Sequence, residues 1–150
     1  KEQQVWNYVT QNKASELSRD MYKSEAKVTS DLINSYAWDT AIVFIQKCGT
    51  ESNSSTYSYT AGLSLTSKSE PQTTGTNILN ATKKVDKQCN IFDMAGNCFE
   101  WTTETRDDSD APCYSRGGCY YYSNFCPSFH NGHYTSGADS DYSFRPLLYL

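Results

Sequence analysis

Between Phe92 and Pro146 this chain contains no Ile, Leu or Val. In a chain of 150 residues, a segment of that length must still contribute to a common core. Its large apolar side chains are Phe92, Met94, Phe99, Trp101 and a set of Tyr and Phe residues. Aromatics bury large areas, and each Tyr or Trp needs a partner for its polar atom. Long regular elements with aliphatic faces are therefore ruled out here. The pattern predicts short, irregular strands that borrow aliphatic surface from the rest of the chain, which means an α+β fold with helices packed on one side of the β structure.

The aliphatic surface lies earlier. After Thr10, a suitable N-cap, Ala14, Leu17 and Met21 recur on one helical face. A second helix is predicted from Thr29 or Ser30, with Ile33, Tyr36, Ala37, Ala41, Phe44 and Ile45 as its apolar stripe and Gly49 ending it in a left-handed turn. Residues 50–88 turn to Ser, Thr, Asn and Gly and read as a long surface connection with short strands at most. The expected organisation is one domain, 1–150, with a helical part (1–49), a connection (50–88) and a motif and display part (89–150). Asn53-Ser54-Ser55 and Asn80-Ala81-Thr82 match the glycosylation pattern, a motif too short to specify its own use.

Charge and apolar runs limit the partners. The net charge is −4, and from Thr105 onward three arginines face five aspartates. Such a surface cannot neutralise a phosphate backbone, so no nucleic acid is expected. The longest apolar run, Ala41 to Ile45, is far short of a bilayer span, so no membrane insertion is expected, and Lys1-Glu2-Gln3-Gln4 does not read as the start of a signal peptide. Of the six cysteines, Cys113, Cys119 and Cys126 lie within fourteen residues, which allows one local bridge without fixing its connectivity.

The most specific motif is "NIFDMAGNCFEWTTE", Asn90 to Glu104. Asp93 and Asn97 suit hydrogen bonds to local backbone in a tight turn, Gly96 permits positive φ, and Trp101 can anchor the turn in the core. Gly117 and Gly118 suit a bulge or a close backbone approach beside it. This motif resembles the signature of the formylglycine-generating (sulfatase-modifying) enzyme family, a variant of the C-type lectin fold. Three further pieces fall in the family's order: "VWNYVTQNKASELSRDMY" resembles its first helix and preceding strand, "RGG" at Arg116 to Gly118 its glycine pair, and "SFRPLL" at Ser143 to Leu148 its closing strand. The implied fold is a C-type-lectin-like α+β domain of the formylglycine-generating-enzyme type, two helices on short irregular strands. Family members usually carry strands ahead of the first helix, and these are expected to be missing from this chain. Some members hold calcium around this turn, which by resemblance implicates Asp93 and Glu100; a capped turn is the competing reading.

Three kinds of chemistry compete in the last third. The family's catalysis uses two cysteines five residues apart after the glycine pair, and Tyr122 and Pro127 stand in those places here. Cys119 and Cys126 are seven apart, so no catalytic residue carries over and no enzymatic activity is expected. Cys119, Cys126, His130 and His133 form C-x6-C-x3-H-x2-H, whose ligand types suit zinc but whose spacing is not a common zinc pattern. No metal or cofactor is expected. Between Cys119 and Tyr142, Tyr, Ser, Gly and Asn make up 13 of 24 residues. That is the composition of an antibody binding loop, in which Tyr gives rigid amphipathic contact area and the small polar residues adapt.

Composition sharpens this third reading. Residues 1–104 contain 27 Lys, Glu, Gln, Met or Trp; residues 105–150 contain none, where the same frequency would place about a dozen. Those five are the residues that codons ending in a pyrimidine cannot encode, as randomising the adenines of AAC or AAT codons would leave. With the lectin-like signature and a C-terminal "FRP", the chain resembles the variable proteins of diversity-generating retroelements. The resemblance implies a non-catalytic, receptor-recognition domain with a hypervariable surface, serving as a phage receptor-binding tip on the virion or as a bacterial cell-surface adhesin, with a protein or glycan ligand. The alternatives are an enzyme of the formylglycine-generating type and a plain structural domain without ligand. Expected contact residues, projecting from irregular loops, are Cys119, Tyr121, Tyr122, Asn124, Phe125, Pro127, Phe129, His130, Asn131, His133 and Tyr134; Tyr120, Tyr142 and Phe144 are expected in the core.

Overall fold

The structure is a computed structural model that describes residues 3–50, 54–58, 70–76, 78–79, 84–120, 122 and 125–150. Helix α1 (Gln11–Asp20) starts where expected: the Thr10 hydroxyl accepts a bond from the Lys13 amide at 3.2 Å. Ala14 is fully buried and Leu17 half-buried, but Met21 is the exposed C-cap residue and not part of the packed face. No strand precedes α1 among the described residues.

The second helix begins later than its apolar pattern suggests. Thr29–Leu32 is strand β1, and α2 (Ser35–Cys48) is capped by Asn34, whose side-chain oxygen accepts from the Ala37 amide at 2.8 Å. The capping carboxamide outcompetes Thr29 or Ser30 because the Thr29–Leu32 backbone is already committed to pairing with strand β10 (Pro146–Tyr149). The buried face of α2 is Trp38, Ile42 and Ile45, an i, i+4, i+7 stripe, with Ala37 and Ala41 packed at its side. Tyr36 and Phe44 of the expected stripe are exposed. Trp38 sets that rotation, being fully buried with its indole N–H donating to the Pro127 carbonyl at 2.8 Å. Gly49 is extended (φ −70°, ψ 140°) rather than left-handed; an added Cβ would collide with the Ile45 carbonyl at 2.5 Å, so close approach explains the glycine.

The β structure is short-stranded, as the missing aliphatics require. Strands β2 (Ile78–Leu79) and β3 (Lys84–Val85) form one antiparallel pair, and β4 (Lys87–Gln88) and β5 (Ile91–Phe92) another. A four-stranded sheet has the order β8 (His130–His133), β7 (Cys113–Arg116), β6 (Phe99–Thr105), β9 (Tyr142–Phe144), antiparallel except for β6 and β9. One core cluster joins Val9, Ala14 and Leu32 to Phe99, Trp101, Cys113, Cys119 and Tyr142, which is the loan of aliphatic surface to aromatic strands that the sequence calls for. The other cluster joins α2 to Tyr57, Met94 and Ala95.

The connection is more than surface. Tyr57, Asp86 and Gln88 are buried, the Tyr57 hydroxyl donates to Asp86 at 2.6 Å, and Ser54 donates to Gln88 at 3.1 Å. Both glycosylation patterns involve positions outside the described residues.

Candidate functional site

The Asp93–Trp101 turn is the base of the site. Asp93 (φ 57°) and Asn97 (φ 70°) hold the left-handed positions, not Gly96. Asp and Asn tolerate that region because a short polar side chain can bond nearby backbone. Asp93 Oδ2 accepts from the Gly75 amide at 3.0 Å and from Asn97 Nδ2 at 3.2 Å, while Asn97 exchanges two bonds with the Gln72 backbone. Trp101 is fully buried, donates to the Val9 carbonyl at 2.8 Å and stacks on Tyr142 with ring centroids 4.7 Å apart. The glycine pair makes the expected close approach: a Cβ on Gly117 (φ 76°) would lie 2.7 Å from the Met94 carbonyl, and one on Gly118 would lie 3.0 Å from that of Ala95.

Two bidentate ion pairs flank β6. Arg145 clasps Glu100 through two bonds of 2.7 Å and also donates to the Phe92 carbonyl. Arg116 clasps Glu104 in the same way. Burial pushes the Glu104 carboxyl up, but its bonds to Arg116 outweigh this and hold it below the usual range. Calcium does not fit at Asp93 and Glu100, since both Glu100 oxygens already serve a guanidinium. The four candidate zinc ligands do not converge, and no group of three or more His, Cys, Asp or Glu able to hold a metal occurs among the described residues. None of the six cysteines is in a disulfide. Burial pushes the Cys98 and Cys113 thiols upward, away from thiolate character.

Beside this base the described residues between Cys119 and Tyr134 divide into buried and exposed groups. Cys119 and Pro127 are buried in the scaffold, which corrects their placement among the contact residues. Phe125 and Phe129 stack at 4.0 Å and pack against Phe99 of the core, leaving them half-buried. The loop is tied down by Ser128 Oγ donating to the Ser58 carbonyl at 2.7 Å and by Gly117 N donating to the Phe129 carbonyl at 2.9 Å. Tyr122, His130, Asn131 and Tyr134 are exposed, and His133 is half-buried against Trp101, Tyr142 and Tyr134. Tyr121 and Asn124 lie outside the described residues. Tyr120 and Tyr142 are buried as expected, and Phe144 is partly buried against the same cluster.

His130 to His133 form a strand rather than a loop, and alternation sends His130 and His133 to opposite faces. The His130 ring meets Tyr114, and Gly132 lies against the Arg106 guanidinium. Tyr114 and Arg106 are therefore neighbours of the surface that the sequence did not single out. Only knowledge of the β7–β8 pairing, which sets Tyr114 opposite Gly132, identifies them.

Over 95% of its length the chain matches CarF, with a TM-score of 0.64 and 16% identity. Over 93% it matches Treponema denticola variable protein 1, with a TM-score of 0.63 and 15% identity. The fold is C-type-lectin-like. The chain spans 66% of the length of CarF and 69% of that of the variable protein. No family model and no curated protein matches the sequence. Within the C-type-lectin-like fold, the Asp93–Trp101 turn lies in the buried part of the molecule, and Tyr122, His130, Asn131 and Tyr134 are exposed near the β8 edge of the sheet.

Proposed function

We propose that this domain recognises a macromolecular ligand, protein or glycan, through diversified residues that include Tyr122, Asn131 and Tyr134, with Phe125, Phe129 and His133 as partly buried supports and His130 on the opposite face of β8; Tyr121 and Asn124 remain candidates from the sequence alone. It performs no catalysis. The observation that carries this reading is the loss of every Lys, Glu, Gln, Met and Trp after Glu104, the residue that pairs with Arg116 at the end of the scaffold. Downstream of that point Tyr122, His130, Asn131 and Tyr134 are exposed together with Arg106 and several Ser, Thr and Asp residues, and their Tyr and Asn side chains supply contact area and adaptable hydrogen bonds at low entropic cost. The similarity to a protein named as variable supports diversification as the source of that composition. The buried, unactivated thiols support a binding role over thiol chemistry. By analogy the domain acts at a virion tip or on a bacterial cell surface.

The test is genomic. A near-copy of the codons for residues 111–150, carrying adenines at its mismatched positions and lying beside a reverse transcriptase, is the expected result. An encoding locus without such a copy would contradict retroelement diversification.

A further inference from the structure

Strand β8 is the outermost strand of its sheet, and one of its edges has no partner strand among the described residues. The ladder on its other edge fixes which backbone groups face outward. The Gly117 amide donates to the Phe129 carbonyl at 2.9 Å, and the same register sets Arg116 opposite His130, Ser115 opposite Asn131, Tyr114 opposite Gly132 and Cys113 opposite His133. Hydrogen-bonded and non-hydrogen-bonded pairs alternate along an antiparallel ladder. Asn131 and His133 therefore turn their N–H and C=O toward β7. His130 and Gly132 turn theirs outward, and neither has a backbone hydrogen bond to another described residue. Sheet edges are ordinarily closed to other chains by lysine, proline, inward-pointing charges or bulges. From Ser128 to Tyr134 there is no Lys, Arg, Asp, Glu or Pro, and the β7–β8 register runs without a bulge.

We propose that this edge binds an extended peptide segment of a protein ligand, which joins the sheet as a further strand through the backbone N–H and C=O groups of His130 and Gly132. This rests on the recognition function proposed above and selects protein over glycan as the ligand. A donor and an acceptor recurring at every second residue, about 7 Å apart, match the repeat of another strand. The hydroxyls of a sugar ring have no such repeat. Main-chain bonds also suit a surface whose side chains change, because every residue except proline supplies them, while side chains that alternate along the strand add specificity. On one side of β8 the incoming strand meets the His130 ring, held against Tyr114, and the Arg106 guanidinium beside Gly132. On the other side it meets Asn131 and His133.

The probe is a library of random linear peptides panned against the folded chain, with the tightest binder resynthesised carrying a backbone N-methyl group at each position in turn. Within its bound run, N-methylation should weaken binding at least about tenfold at alternate residues, where it leaves a backbone acceptor of β8 unmet, and change it little at the residues between. Bound peptide should slow amide exchange at His130 and Gly132 and leave Asn131 and His133, already bonded to β7, unchanged. His130→Pro removes an outward N–H from an edge strand and should weaken binding more than His130→Ala, which keeps it. The peptide scan alters nothing in the protein, so it decides the matter even if the proline variant does not fold. The proposal is overturned by a library with no saturable binder, by a binder whose N-methyl scan shows no alternation, or by concentration-dependent protection of the two amides in the free chain, which would make a second copy the occupant. Each of these results leaves the genomic test of diversification untouched, so failure of the strand-addition proposal is distinguishable from failure of the recognition function.

Discussion

At the scale of single residues, two side chains account for much of what the turn does. Trp101 has no exposed surface and one satisfied polar atom, and it touches Tyr142 and His133. Trp101→Ala should cost about 3–5 kcal/mol in urea unfolding, and a loss below about 1 kcal/mol would mean that the indole is not a core anchor. Asp93 contributes in the opposite sense. Burial pushes its carboxyl up to about 7, and burial raises Asp86 to about 6. Between the ordinary carboxylate range and those values, the folded chain holds protons that the unfolded chain has released. Stability from these groups is thus complete below the unfolded range and is lost as pH rises toward 7. Asp93→Asn keeps the turn and removes the titration. From pH 5 to pH 8 the variant should gain about 1–4 kcal/mol relative to the parent. Parallel pH profiles for the two proteins would show that Asp93 is solvated.

At the scale of elements, legibility followed the range of the interaction involved. The start of helix α1 was readable to the residue because it depends on Thr10 alone, whereas Met21, read as part of its apolar face, is the exposed C-cap. The beginning of α2 was not, since Thr29–Leu32 is made a strand by β10, more than a hundred residues away in sequence. For the same reason the apolar stripe was misaligned: the partner that fixes Trp38 is the Pro127 carbonyl. Within the turn the motif was legible as scaffold, but not which of its residues take positive φ. Between Cys119 and Tyr134 composition carries no information on which side a residue faces, so the buried Cys119 and Pro127 were grouped with exposed Tyr122, His130, Asn131 and Tyr134. The glycine pair offers a direct check on the packing of these elements. Gly117→Ala meets both a positive φ and the Met94 carbonyl, and should destabilise by about 1–3 kcal/mol, whereas an unchanged midpoint in thermal or urea unfolding would mean that the turn and β7 are not in contact.

At the scale of the whole molecule, the proposed function requires a packed scaffold distinct from the exposed residues it carries. Aliphatic side chains from α1 and β1 and aromatic side chains from the sheet share one core, and the two bidentate pairs brace β6 from Arg116 and Arg145. Tyr122, His130, Asn131 and Tyr134 lie outside that core, where substitutions ordinarily move stability by no more than about 0.5 kcal/mol. A few aromatic anchors usually carry most of the energy of an interface, so the same substitutions should change binding strongly. The most direct measurement is a library randomised at these four positions and sorted for folded, soluble protein, beside a second library randomised at Cys119, Pro127, Trp101 and Tyr142. Most members of the first library should fold and nearly all of the second should not. If the two libraries fold equally often, or the first aggregates, the exposed segment is not a display surface and the proposed function fails.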